Sequence, residues 1–121
     1  QIHKDYSNIF YVTNQFNWDK NGRAISTKKP IIHSFNKDET ILKEIPEVYE
    51  AIQSRPNVIL LGDSMGDVGM IEGFEYSALL KIGFLNSDYD TSRHEYEKNF
   101  DITLEGDGDF EFVNTLVREL E

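Results

Sequence analysis

A partial three-layer, Rossmann-like α/β fold with a mainly parallel sheet is predicted by three features of this sequence. Short apolar segments alternate repeatedly with helical patterns, the order that builds parallel strands joined by crossover helices. The run Asn57-Val-Ile-Leu-Leu61 drives straight into the turn Gly62-Asp-Ser-Met-Gly-Asp67, and a short continuous apolar run closed by turn residues reads as a strand covered on both faces. Near the end of the chain, Val113, Leu116, Val117 and Leu120 recur at helical spacing behind Asp109, a cap candidate. No internal repeat, low-complexity segment or inter-domain linker interrupts the 121 residues, a length that suits one domain with a core.

Element by element, Ile9-Phe-Tyr-Val-Thr13 is β-branched and aromatic and predicts a strand. Asp19-Lys-Asn-Gly22 is a turn, and Arg23 to Ser34 returns as a second, antiparallel strand with Pro30 at a break or an edge. Asp38 caps a helical stretch from Glu39, and Pro46 either restarts that helix or kinks it. Ile45, Val48, Tyr49 and Ile52 share one helical face. After the strand Val58–Leu61, Asp67 opens a short helix that Gly73 ends. Ala78–Ile82 is the next strand, Ser87 or Asp88 caps a helix running to Phe100, and Asp101–Leu104 is a short last strand before the final helix.

Composition excludes several classes of function. The formal net charge is −10, from 22 acidic and 12 basic residues, and no basic cluster exceeds Lys28-Lys29. Nucleic acid and anionic membranes are therefore not expected partners, and no apolar run approaches the roughly 20 residues of a membrane span. Cysteine is absent, which removes disulfides, thiolate nucleophiles and Cys-ligated zinc and accords with a cytoplasmic location. Oligomeric state leaves no mark in the sequence.

The chemistry concentrates in the turn after Leu61. An open parallel sheet binds ligands at the carboxyl ends of its strands, and Asp63 and Asp67 stand there with Ser64 between them. Gly62 and Gly66 let the chain turn sharply and approach a ligand closely. Anionic oxygens in such a turn suit a hard cation such as Mg²⁺. The structural alternative is that Asp and Ser serve only to cap the next helix. One cap needs one acid, and this turn supplies two.

Three ordered motifs carry a resemblance. Ile32-His-Ser-Phe-Asn-Lys37, then Ile59-Leu-Leu-Gly-Asp-Ser-Met-Gly-Asp67 with Met70 and Gly73, then Leu80-Lys-Ile-Gly-Phe-Leu-Asn86 together resemble the cytosolic pyrimidine 5′-nucleotidases of the haloacid-dehalogenase superfamily, from about Val12 onward. The resemblance implies Mg²⁺-dependent hydrolysis of nucleoside monophosphates through an aspartyl-phosphate intermediate. It implies that Lys37 neutralises the nucleophile and the transferring phosphoryl group, that Asp63 binds Mg²⁺, and that Asp67 supports the metal and the lysine. It implies as well that Ser64 orients the loop and joins Lys37 on the substrate phosphate. Phosphoryl transfer asks mainly for positioning and positive charge against the equatorial oxygens, which a lysine and a cation would supply.

The family's Asp-x-Asp nucleophile motif and Ser-containing phosphate loop are not found upstream of these motifs. Asp88-Tyr-Asp90 has the pattern but follows the Gly-Asp-Ser loop, in the wrong order, and reads as a helix cap. The chain is thus expected to be the carboxyl-terminal part of a phosphatase core, with cap domain and nucleophile segment elsewhere. A non-catalytic α/β binding or regulatory domain that keeps the fold is the alternative class. Lesser candidates read as structure: His33 as a strand residue, His3 and His94 without partner patterns, and Tyr11, Phe16 and Trp18 as packing near the turn. Glu105-Gly-Asp-Gly-Asp109 fails as an EF-hand loop, since Phe110 and Leu116 occupy the sixth and twelfth places.

Overall fold

The computed structural model of the chain describes residues 6–33, 36–106 and 108–120. His3, the Ser34-Phe35 pair of the first motif and residue 107 of the acidic loop lie outside the described residues.

Two sheets are present among the described residues. β1 (Phe16–Trp18) and β2 (Ala24–Thr27) form an antiparallel hairpin, and β3 (Asn57–Gly62), β4 (Ala78–Leu85) and β5 (Ile102–Glu105) form a parallel sheet in that order. The predicted parallel sheet is therefore correct, with Gly62 of β3 level with Gly83 of β4, which in turn faces Thr103 of β5. Its helices are α1 (Glu39–Lys43), α2 (Pro46–Gln53), α3 (Tyr89–Asn99) and α4 (Glu111–Glu119), with a 3-10 helix over Met65–Ile71 between β3 and β4.

Alternation along β4 explains the layers. Gly83 and Leu85 face α3, whose Tyr96, with Phe100 just past the helix end, forms a buried cluster with Leu85, against which Met65 and Val68 of the 3-10 helix pack. Phe84 points to the other face and meets Phe110, with ring centroids 5.3 Å apart. Ile82 and Leu85 are the largest fully buried side chains, each contributing on the order of 1.5–3 kcal/mol relative to exposure. A residue with a Cβ at position 83 would come within 2.6 Å of the Phe100 ring, so this glycine is what lets α3 sit directly on the sheet.

Several sequence expectations are corrected. Ile9–Thr13 is not a strand: Ile9, Phe10 and Tyr11 are exposed and pair with no ladder among the described residues. Their β propensity reflects fit to a pleated, half-buried surface, and without a partner it is not expressed. The first strand lies further on, at Phe16–Trp18, where the rings of Phe16 and Trp18 meet edge to face at 5.9 Å. The return strand stops at Thr27 rather than reaching Ser34, ahead of a cis Lys29–Pro30 peptide. Beyond it, side chains replace the ladder: Asn14 accepts from the Ile32 amide at 2.8 Å and donates to its carbonyl at 2.7 Å, while Asn36 accepts from the His33 amide at 2.7 Å and donates to the Ile31 carbonyl at 2.9 Å. His33 thus sits in a turn, not in a strand.

The helices follow the sequence closely. Pro46 restarts the chain as a new helix at its first position, and Val48 is the buried member of the predicted apolar face. The 3-10 helix is capped by Ser64, with an extended backbone, and Asp67 occupies the third helical position instead of opening the helix. Gly73 follows its end at φ +86°, as expected of a terminating glycine. Asp88 caps α3 in the left-handed region at φ +54°, which Asp tolerates better than most residues. At α4 the Asp109 carboxylate accepts from the Glu111 amide at 2.9 Å, although Phe110 is the residue at the cap position.

Candidate active site

The turn at the carboxyl end of β3 is built around one buried acid. Asp67 is 7% exposed and is the buried charged residue of the described core. Its Oδ2 accepts from the Ser64 hydroxyl at 2.9 Å, the Ser64 amide at 3.1 Å and the Asp63 amide at 3.2 Å, and its Oδ1 accepts from Lys37 Nζ at 3.2 Å. Gly62 makes this possible, because a Cβ there would come within 2.6 Å of the Asp67 Cβ. The first glycine of the motif is thus a matter of space for the acid that folds back over it.

Burial works against the charged form of Asp67, yet the Ser64 hydrogen bond, the Lys37 hydrogen bond and charge, and the Asp63 amide outweigh it, so the carboxyl is held below its usual range. Asp67 is consequently an anion at neutral pH with its oxygens largely committed to protein donors. Lys37 reaches it from the segment preceding α1, thirty residues upstream, with its side chain 42% exposed. A pair this open to water adds little stability. Its significance is that a positive charge is fixed at the strand ends of a protein whose net charge is −10.

Asp63 differs from Asp67 in every respect that concerns a ligand. Its amide is tied to Asp67 and its carbonyl accepts from the Tyr96 hydroxyl, while the residue itself is exposed. Burial raises the pKa of Tyr96, assisted by the charges of Asp63, Asp67 and Glu95, so at neutral pH its hydroxyl keeps the proton that it donates. The donor set suits Mg²⁺ in a limited way: one free carboxylate beside a committed one, leaving most of an octahedron to water and substrate oxygens, as this ion prefers. Among the described residues no group of three or more His, Asp or Glu forms a ready-made metal cage.

The structure thus brings Lys37, Asp63, Ser64 and Asp67 together. The Ser64 hydroxyl donates to Asp67 Oδ2 within the same turn. Asp88 and Asp90 lie at the start of α3 and are exposed. A groove of about 660 Å³ runs along β3, lined by Tyr49, Ile52, Val58, Ile59, Met70 and Phe74 among others, and none of the four site residues lines it. Sequence reasoning missed Tyr96, which touches the turn from 33 residues away, and Asn14, which braces the segment leading to Lys37. Neither carried a signal, since an aromatic in a helix and an asparagine in a loop are ordinary.

The described residues thus place a glycine-bounded acidic turn, with a lysine converging on its second acid, at the carboxyl end of a strand in a parallel α/β sheet. The family model described as pyrimidine 5′-nucleotidase (UMPH-1) matches residues 1–121, and the chain belongs to this family. It is 37% identical over 114 residues to the 7-methylguanosine phosphate-specific 5′-nucleotidase of Gallus gallus, covering 93% of this chain and 39% of that protein. Against the Drosophila melanogaster protein of the same name it is 34% identical over 117 residues, covering 96% and 36%. A putative cytosolic 5′-nucleotidase 3 of Caenorhabditis elegans is 35% identical over 100 residues, covering 80% and 27%. Among solved structures, cytosolic 5′-nucleotidase IIIB bound to cytidine superposes with a TM-score of 0.82 at 34% identity, covering 93% of this chain and 38% of that one. The chain therefore spans about two-fifths of the length of the first of these relatives. No described helix is long and apolar enough to cross a membrane.

Proposed function

We propose that this chain supplies the lysine-and-metal side of the active site of a Mg²⁺-dependent nucleoside 5′-monophosphate phosphohydrolase working through an aspartyl-phosphate. The observation that carries the reading is the division of labour in the turn: Asp67 is buried and holds Lys37, whereas Asp63 is pinned by its backbone and leaves its carboxylate exposed. Lys37 would meet the phosphoryl oxygens, where negative charge is concentrated during transfer. Asp67 would keep the ammonium in place and, through the second lone pair of Oδ1, accept from a water at the site. Asp63 would hold Mg²⁺, which supplies charge neutralisation and orientation of the phosphate when bound. The attacking aspartate would come from an Asp-x-Asp segment outside these motifs, as the family resemblance implies.

The substrates proposed are pyrimidine nucleoside monophosphates, supported by the family description and by the cytidine in the similar structure. 7-Methylguanosine monophosphate is the second class to assay, because the names of similar proteins specify it. On this reading the protein works in the cytoplasm, in keeping with its lack of cysteine and with the cytosolic names of two similar proteins. The test is phosphate release by the full-length protein from CMP, UMP and 7-methylguanosine monophosphate, with Mg²⁺ or with a chelator. Release that requires Mg²⁺ and falls by orders of magnitude in Lys37→Ala is expected. Undiminished turnover in that variant, or no release from any of the three with Mg²⁺ present, overturns the proposal.

A further inference from the structure

Asp63 is held from two directions by groups that do not touch its carboxylate. Its amide donates to Asp67 Oδ2 at 3.2 Å, and its carbonyl accepts from the hydroxyl of Tyr96, a residue of α3 that is 33 positions away and only 7% exposed. The Tyr96 ring is itself fixed, stacked on Phe100 with centroids 5.3 Å apart and planes 26° apart. Both rings rest on Gly83, where a Cβ would come within 2.6 Å of Phe100 and 3.0 Å of Tyr96. The height of the hydroxyl above the sheet is therefore set by direct contact between α3 and β4.

We infer that Tyr96 is a positioning residue for the acid turn: by holding the Asp63 carbonyl it fixes the backbone from which the exposed Asp63 carboxylate projects toward its cation. Without that bond the Asp63–Ser64 peptide is held only through the Ser64 amide on Asp67, and its carbonyl loses the partner that fixes its direction. A cation that demands near-octahedral directions is sensitive to such freedom, and removing an outer partner of a metal ligand typically weakens binding by about 10–100-fold. This rests on the proposal that Asp63 meets Mg²⁺, so the experiment separates the two.

The full-length protein is titrated with Mg²⁺ alone, without substrate, by calorimetry, for wild type, Tyr96→Phe, Phe100→Leu and Asp63→Asn, beside thermal melts of each. Tyr96→Phe keeps the ring and its stack and removes only the hydroxyl. It is expected to melt close to wild type while Mg²⁺ affinity drops by about tenfold or more. Phe100→Leu removes the ring on which Tyr96 stacks but keeps the hydroxyl, and is expected to lose more stability and less Mg²⁺ affinity than Tyr96→Phe. Wild-type affinity in Tyr96→Phe together with weakened binding in Asp63→Asn overturns the positioning role and leaves the metal site standing. Wild-type affinity in both overturns the metal site and this inference with it. Affinity losses that simply track the melting temperature across Tyr96→Phe and Phe100→Leu also overturn it, since that is the signature of general packing.

Discussion

Asp63 and Asp67 lie four positions apart in one turn, and the structure makes them unlike. Asp63 is exposed, so Asp63→Asn should leave stability within about 0.5 kcal/mol of wild type while raising the Mg²⁺ concentration needed for activity steeply. Asp67 accepts four protein donors, one of them charged. Asp67→Asn turns an amide NH₂ toward a donor, and a loss of about 1–3 kcal/mol is expected. The pH dependence distinguishes this loss from a packing defect. The folded pKa of Asp67 lies below its ordinary 3.8, so the carboxylate's contribution is complete above 3.8 and disappears as pH falls through the lower folded value. Denaturant melts should show the gap between wild type and Asp67→Asn narrowing below about pH 3.8, and a constant gap would refute the charge-based account. Lys37 is proposed to set a compact ammonium against phosphoryl oxygens. Lys37→Arg is expected to lose most activity, because a planar guanidinium is not a compact ammonium, and kinetics of that variant near wild type would show the site to be looser than drawn.

At the level of elements, two glycines at the same register of neighbouring strands do different jobs. Gly62 makes room for Asp67 and Gly83 makes room for Phe100 and Tyr96, each with a clearance that a Cβ would reduce to 2.6 Å. Overpacking costs typically about 1–3 kcal/mol, and both Gly62→Ala and Gly83→Ala should lower the melting temperature. Their kinetic signatures should diverge. Gly62→Ala pushes directly on the Cβ that carries the Lys37 partner, so turnover should fall further than the lost stability explains, whereas Gly83→Ala acts through α3 and should show chiefly the stability loss. Equal activity in the two, measured well below their melting temperatures, would show that the 3-10 helix absorbs the displacement. The 3-10 helix is short, with Ser64 at its cap and Asp67 at its third position. The acid is thereby part of the element that β3 feeds, which is why strand and site cannot be altered separately.

For the molecule as a whole, the described residues place one lysine, two acids and a serine at one end of a three-stranded parallel sheet. They offer no Asp-x-Asp at the end of an upstream parallel strand, since β1 and β2 form a separate hairpin and Asp88 and Asp90 sit at the start of α3. The 121-residue chain purified alone is accordingly expected not to release phosphate from nucleoside monophosphates. Metal-dependent release from CMP by this chain would mean that a nucleophile exists among residues assigned here to structure.

Lys37 stood out only through the family resemblance, whereas the sequence by itself determined the parallel α/β class, the strand that delivers Gly62 to Asp67, and the turns at Gly22 and Gly73. These were legible because they are local: an apolar run, a glycine beside an acid and a capping residue reveal themselves within a few positions. The extent of the return strand and the absence of one at Ile9–Thr13 were decided by the tertiary structure, because a strand exists only where a partner offers a ladder. So was the difference in burial between Asp63 and Asp67, since one of them folds back over Gly62 and receives Lys37, the Ser64 hydroxyl and two backbone amides. The Tyr96 hydroxyl is the extreme case: its partner is a backbone carbonyl 33 residues away, and contact with a group that every residue possesses leaves no trace in the order of side chains.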